Sequence, residues 1–348
     1  MNAQPDRAET FEAVDDFDEI NRLYRERRWG DGLPIVPPTA QRVERMLAMT
    51  QRPRHEVVAR VAPGYGAATV ERIAINAVMA GCDPQYLPVM IAATEAVADP
   101  AFNLQGIQAT TNSVAVWVII NGPATKQLNV NEGFNCLGQG RWANATIGRA
   151  MRLILQNIGG ALPGEMDRAT HGQPGKFTFC CAENEDASPW EPLHVERGYA
   201  REASTVTVVG AEGTMNMNTH SKEAMELVRM FTETLQHPPS NEYVHGGEPW
   251  IIIAPEHAEI FKRGGLSKAD VKRHLWERSK MRASRLSTKD LERARDSRAA
   301  EFGDVTPETD LTICEGPENV MLIVAGGPGT HSVYVPCFGN SRAVTREI

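Results

Sequence analysis

Four segments of the chain share one pattern, a run of β-branched and apolar residues that gives way at once to a Gly, Pro or Asn loop. They are SVAVWVIINGP (113–123), STVTVVGAEG (204–213), PWIIIAPEHA (249–258) and NVMLIVAGGPG (319–329). Strands apolar on both faces belong to sheets covered by helices, and ligands of such sheets gather beyond the strand ends. The loops NGP, GAEG, PEHA and GGPGTHS are therefore expected to line one crevice, the alternative being four unrelated tight turns.

Helical spacing fills the intervals. Residues 16–29 read as a helix. A Pro-rich stretch, GDGLPIVPPT, follows as an extended strap, and the next helix is expected to start at Thr39 because Pro37 and Pro38 disfavour helix before it. Beyond the turn VAPGYG, one helix ends on Gly81 and a second, PQYLPVMIAATEAVAD, is apolar all round and so packed on both sides. Asn76 is read as a hydrogen-bonded core amide. The helix 141–158 is led in by NEGFNCLGQG, whose free backbone N–H groups, with Arg141 and Arg149 close in sequence, suit a small anion. Neither a P-loop nor a full G-x-G-x-x-G accompanies it. Another helix is expected to start beside His220, and residues 256–280 read as helix, Gly-Gly turn and a helix capped by Ser267 and Asp270. The stretch 280–298, with charges alternating in sign, is expected as a solvated insertion with few core anchors. The fold class that results is α/β, a mixed or mostly parallel sheet covered by helices, with a helical N-terminal region. Its divisions are a frayed segment 1–15, a helical region 16–112 and an α/β body 113–348, or one continuous domain 16–348.

Composition narrows the functional classes. The 348 residues are 42% hydrophobic and 23% charged, enough for a substantial core. A net charge of -8 and a pI near 5.7 provide no basic face for nucleic acid. No apolar stretch approaches ~20 residues, and the acidic opening has no apolar h-region, so neither a membrane span nor a signal peptide is expected and the cytoplasm is the default. Six cysteines without C-x-x-C or disulfide spacing are expected as thiols.

The densest chemistry lies in HGQPGKFTFCCAENEDASPWEPLHVER (171–197), with two adjacent cysteines, two histidines, a lysine and five carboxylates. Residues 177–181 read as a buried strand that exits abruptly into Glu183, Asn184, Glu185 and Asp186, the floor of a site. Cys180 is a candidate nucleophile or redox thiol if His171, Lys176 or His194 lowers its pKa, against a structural role for the pair. Strand neighbours point to opposite faces, so only one of Cys180 and Cys181 should face the site. Glu183 and Glu185, two apart, share a face and can divide into acid and base. With His194 or His220 they could also hold a divalent metal, although no H-E-x-x-H supports one. His331 and Ser332 follow a strand, and His331 could serve as a base; G-x-S-x-G is absent.

The segments DGLPIVPPT, INAVMAGC, FNLQGIQATT, NGP, NATIGRAMRLILQNIGG, PGKFTFCCAENEDASPWEPLHVERG and AGGPGTHS resemble a bacterial family that accompanies the UGSC-type selenoprotein or cysteine-containing family. The likeness runs from about residue 30 to the last. It implies a partner with a reactive selenocysteine or cysteine and thiol-linked redox chemistry on a small molecule. The positions it singles out are Asn144, Arg149, Lys176, Cys180, Glu183, Glu185, Trp190, His194, Arg197 and His331. This chain has no UGSC motif, so a selenol would come from another polypeptide.

Three functions stay open at the level of sequence. One is an enzyme or enzyme subunit acting on a small anionic substrate, with Cys180, Glu183, Glu185, His194 and His331 as catalytic residues and Asn144, Arg149, Lys176, Trp190 and Arg197 binding substrate. Another is a lyase, hydratase or hydrolase that uses the carboxylates and histidine alone, with or without metal. The third is a non-catalytic subunit that docks a UGSC-type partner through WEPLHVERGY. Homo-oligomerisation through the apolar helices 69–97 is a further expectation, burial within one chain its alternative.

Overall fold

The computed structural model describes residues 8, 10–238 and 240–348. Most of the segment expected to be frayed, residues 1–7 and 9, lies outside the described residues. The strands in chain order are β1 (Val57–Val61), β2 (Gly66–Thr69), β3 (Ala115–Asn121), β4 (Cys180–Ala182), β5 (Thr205–Ala211) and β6 (Met215–Asn218). They continue with β7 (Trp250–Ile253), β8 (Met281–Arg282), β9 (Asp310–Leu311), β10 (Met321–Val324), β11 (His331–Val335) and β12 (Val344–Glu347).

The fold is α/β. Two four-stranded sheets, ordered β12-β5-β3-β4 and β10-β7-β11-β6, lie at its centre. Side chains alternate along each strand, and the alternation assigns each face a layer. Trp117, Ile119, Cys181 and Val209 of the first sheet meet Trp250, Ile252, Ile323 and Val335 of the second in one apolar layer. On its other face, the first sheet buries Val116, Val118, Ile120 and Val208 under the helices Val70–Ala80, Leu87–Ala98 and Trp142–Asn157. Ile251, Ile253, Leu322 and Tyr334 likewise lie under Ala224–Leu235, Pro255–Arg263 and Lys268–Arg278. The layers run helix, sheet, sheet, helix.

The two sheets repeat one connectivity. In the first, β3 pairs with β4 in parallel and with β5 antiparallel; in the second, β7 pairs with β10 in parallel and with β11 antiparallel. Each unit then gives its next strand to the other sheet: β6, which follows β5, pairs with β11, and β12, which follows β11, pairs with β5. The two departing segments touch where Ala211 bridges Cys337 and Glu212 N–H donates to Pro336 O at 2.8 Å. No repeat is visible in the sequence, because alternation and burial alone determine these strands and many apolar residues satisfy both.

Local signals act as expected at several ends. Thr39 caps its helix, Gly81 ends Val70–Ala80 in the left-handed conformation, and Ser267 with Asp270 forms a capping box. Asn76 is held by Arg72 O and Asn157. The apolar helices Val70–Ala80 and Leu87–Ala98 bury their surfaces within this chain.

Other expectations need correction. Residues 177–181 are not one strand: pairing starts only at Cys180, Pro174–Lys176 is a short 3-10 turn, and Phe177 is half exposed. The helix expected beside His220 starts at Ala224. The stretch 280–298 is anchored, since Met281, Ala283 and Ala294 join the second helical layer. Arg298 within it is fully buried and donates to the carbonyls of Glu242, Tyr243 and Thr312. An alternating charge pattern does not reveal which of its cations turns inward.

Candidate functional site

Two parallel strand ends make the floor of the site. β3 is apolar from Ala115 to Ile120 and ends on Asn121, which by alternation continues the inner row of Trp117 and Ile119. Beside it the β4 ladder runs one residue further, Glu183 N–H donating to Ile120 O at 3.2 Å, so Glu183 follows Cys181 on the inner row. Asn184 N–H then reaches Val324 O at 2.7 Å and ties this edge to the end of β10 in the second sheet.

Asn121 joins two carboxylates. Its Nδ2 donates to Glu183 Oε2 at 2.6 Å and to Glu185 Oε1 at 3.1 Å. Backbone groups complete the set, Leu193 N–H donating to Glu183 Oε2 at 2.8 Å and Gly122 N–H to Glu185 Oε1 at 2.7 Å. Gly122 has φ +76°, and a Cβ there would collide with the Ala203 carbonyl, so the turn that presents this N–H requires glycine. The amide of Asn121 has one acceptable orientation, since the reverse would set its oxygen against both carboxylates.

Glu183 is 1% exposed. Burial pushes its carboxyl above the usual carboxylate range; the charge of Lys268 and the bonds from Leu193 and Asn121 oppose the rise, and the charge of Glu185 adds to it. Oε2 already receives two donors, while Oε1 has no partner among the described residues. A proton on Oε1 is therefore the state that burial favours.

His194 completes the constellation. It is fully buried, with Nε2 3.2 Å from Arg201 O; a carbonyl only accepts, so Nε2 carries the hydrogen. Nδ1 has no hydrogen-bond partner among the described residues and faces Glu185 Oε1 at 3.6 Å. In the neutral imidazole Nδ1 is an acceptor, so two acceptors oppose each other there and both can receive a proton.

Glu183 and Glu185 border a cleft of about 210 Å³ whose walls also include Gly122, Lys126, Glu132 and Arg201, with Asn121 and His194 buried behind them. That volume has room for a small metabolite. At its mouth Lys126 pairs with Asp186 at 2.5 Å.

Of the positions singled out from sequence, the structure brings together Glu183, Glu185 and His194. The others lie elsewhere. Cys180 points to the opposite face of β4 from Glu183, into the layer under Trp142–Asn157, and burial raises its thiol pKa far above the ordinary value. Native protein treated with iodoacetamide at ~pH 8, near an ordinary thiol pKa, should leave Cys180 unmodified, and peptide mass spectrometry should find it labelled only after denaturation. Fast native labelling would show that β4 opens. Cys181, on the inner face, shares a hydrogen bond with Cys136.

Asn144 is a bracket rather than a ligand contact: it binds Asn131 N and O, Cys136 O and Cys180 O, and so secures the glycine-rich loop. Arg149 forms a two-pronged pair with Asp31 at 2.7 and 2.9 Å and fixes the Pro-rich strap, so it is not free for the anion expected at this helix start; Arg141, the other cation expected there, donates to Asn129 Oδ1 at 3.2 Å. Lys176 is held by both oxygens of Asp167, Trp190 packs on Phe261, and Arg197 donates to Ala343 O at 2.6 Å. His331 is exposed at the start of β11, hydrogen-bonded to Asn216 and set against the ring of His220. Of the four loops expected on one crevice, NGP lines it and GAEG sits at the opposite end of β5, because Ala211 pairs with Ala115 while Asn121 pairs with Thr205. Among the described residues, no three His, Cys, Asp or Glu side chains group as a metal site.

Sequence reasoning missed Asn121, although a signal existed: it is the one polar residue that ends an all-apolar strand, directly before Gly-Pro. Glu132 and Arg201 carried no such mark, because only the closing of distant loops places them here. No protein-family model, no curated protein and no solved structure matches this chain.

Proposed function

We propose that the cleft is the active site of an enzyme that moves protons on a small polar molecule, a lyase, hydratase or hydrolase, with Glu183 as acid and Glu185 with His194 as base. One observation carries the reading: a buried carboxyl with an unpartnered oxygen and a carboxylate facing an imidazole nitrogen share one amide at the edge of a cleft. Burial favours the neutral form of Glu183, while Glu185 Oε1 receives the Asn121 and Gly122 donors and faces the imidazole, an arrangement in which two carboxyl groups can divide into acid and base. In an addition of water, Glu185 takes a proton as the water oxygen bonds to substrate carbon, and the Glu183 carboxyl, in the cleft wall, supplies a proton to the substrate. One proton enters and one leaves, so no oxidant or reductant is needed.

The burial of Cys180 favours this chemistry over a thiol route. In our reading, any thiol or selenol step belongs to a UGSC-type partner, and the six free thiols support a reducing, cytoplasmic setting. No helix is long and apolar enough to cross a membrane among the described residues. The test is a panel of small esters, lactones, hydroxy acids and unsaturated acids incubated in D2O and followed by proton NMR. Wild type should convert at least one compound and Glu185→Gln should not. Conversion that survives Glu185→Gln and disappears in Cys180→Ala would reverse the assignment.

A further inference from the structure

We propose that a single monovalent anion of halide size binds in a cavity of about 10 Å³ lined by Gln108, Arg152 and Lys176, on the helix-covered face of the first sheet. The cavity also touches Val114 and Val116 at the start of β3. Asn121 lies at the other end of that strand, roughly 20 Å away at about 3.3 Å per residue. The anion site is thus separate from the acid–base cleft and independent of its function.

The volume fits one water-sized particle, and the groups around it are short of an acceptor. Gln108 is 2% exposed; its Oε1 accepts from Arg152 Nη1 at 3.4 Å, which turns Nε2 away from the guanidinium, and Nε2 has no partner among the described residues. Arg152 also donates to Ala161 O at 2.8 Å, and with five N–H groups it has donors beyond these two bonds to offer an anion. Lys176 donates to Asp167 at 2.7 and 2.8 Å and keeps a third N–H.

Charge points the same way. Asp31 is paired with Arg149, so among the described residues Asp167, 3.7 Å from Arg152, is the one carboxylate paired with both Arg152 and Lys176. A buried excess of one positive charge is costly unless something neutralises it. Burial already lowers the pKa of both cations, against the pull of Asp167. Water would fill the space and accept two hydrogen bonds but leave the charge; a halide accepts from all three side chains and cancels it.

Thermal unfolding in chloride and in gluconate at equal ionic strength tests the site, with bromide-soaked crystals measured at the bromine edge. Wild type should melt several degrees higher in chloride, and an anomalous peak should lie among Gln108, Arg152 and Lys176. Gln108→Glu supplies an internal carboxylate to the same cations, so its melting temperature should be equal in the two salts. Equal melting of wild type in both salts, with no bromide peak, would overturn the proposal. So would a chloride effect of full size in Gln108→Glu, which would place the anion elsewhere. Should Gln108→Glu fail to fold, the position of the wild-type bromide peak decides.

Discussion

Raising the pH from about 5 to about 8 should cost this protein stability through one residue, Glu242, which is fully buried where the two sheets exchange strands. Its Oε2 accepts from Tyr334 and from Ser240, and its Oε1 accepts the Cys337 N–H at 3.1 Å. Among the described residues no cation forms an ion pair with its carboxylate. Burial pushes its pKa up to about 8, with the bonds from Tyr334, Ser240 and Cys337 opposing and the charge of Glu212 adding to the rise. A carboxyl raised in the folded state binds more protons folded than unfolded, so its contribution to stability is complete below the unfolded pKa of about 4.3 and declines as pH rises toward the folded value. At roughly 1.4 kcal/mol per pH unit, the loss between pH ~5 and ~8 amounts to up to about 4 kcal/mol. Glu183, Glu212 and Glu248 are raised as well and add with the same sign. Glu242→Gln keeps the shape of the neutral group and should flatten most of the decline between pH ~5 and ~8 in urea unfolding. A variant with the wild-type slope would assign the alkaline loss to the other carboxyls.

Glu185→Gln should lower kcat by about 10²–10⁴-fold, the usual worth of one positioned acid–base group. The amide oxygen of glutamine can still accept from Gly122 N–H and Asn121, so the floor of the cleft should persist and KM should change little. What disappears is the proton acceptor facing His194. Glu183→Gln should lower kcat by a comparable factor through loss of the acid, and the pH–rate profile of each variant should lose one limb of the bell. Removal of both groups should cost less than the product of the single losses, because the two act in one proton cycle. Losses confined to KM would mean that both carboxylates only bind substrate.

How much of this was legible in the sequence depends on the range of the signal. Thr39, Gly81, Ser267 and Asp270 act within a few residues of themselves, and each could be read directly. Glu183 was legible from the alternation that continues β4, whereas Glu185, expected on the same extended run, lies in the turn that follows, and Asn121 with Gly122 holds its carboxylate beside Glu183. His194 required the further fact that the chain turns back at Leu193, whose N–H is captured by Glu183. Arg149 and Asn144 misled for the opposite reason: a cation and an amide beside a glycine-rich loop suit a ligand, but Asp31 and three distant carbonyls already satisfy them. The exchange of β6 and β12 left no local trace, since an edge strand carries the same alternation whichever sheet receives it.

The account stands most directly on the protonation of Glu183. Infrared difference spectra of wild type against Glu183→Gln, recorded as pH is raised from ~4, where ordinary glutamates begin to ionise, report the carboxyl C=O stretch of this one group. A protonated carboxyl band in wild type, absent from the variant and persisting above the ordinary glutamate range, is the predicted result. If the band disappears within or below that range, the cleft has no acid to pair with Glu185, and the assignment of acid and base fails.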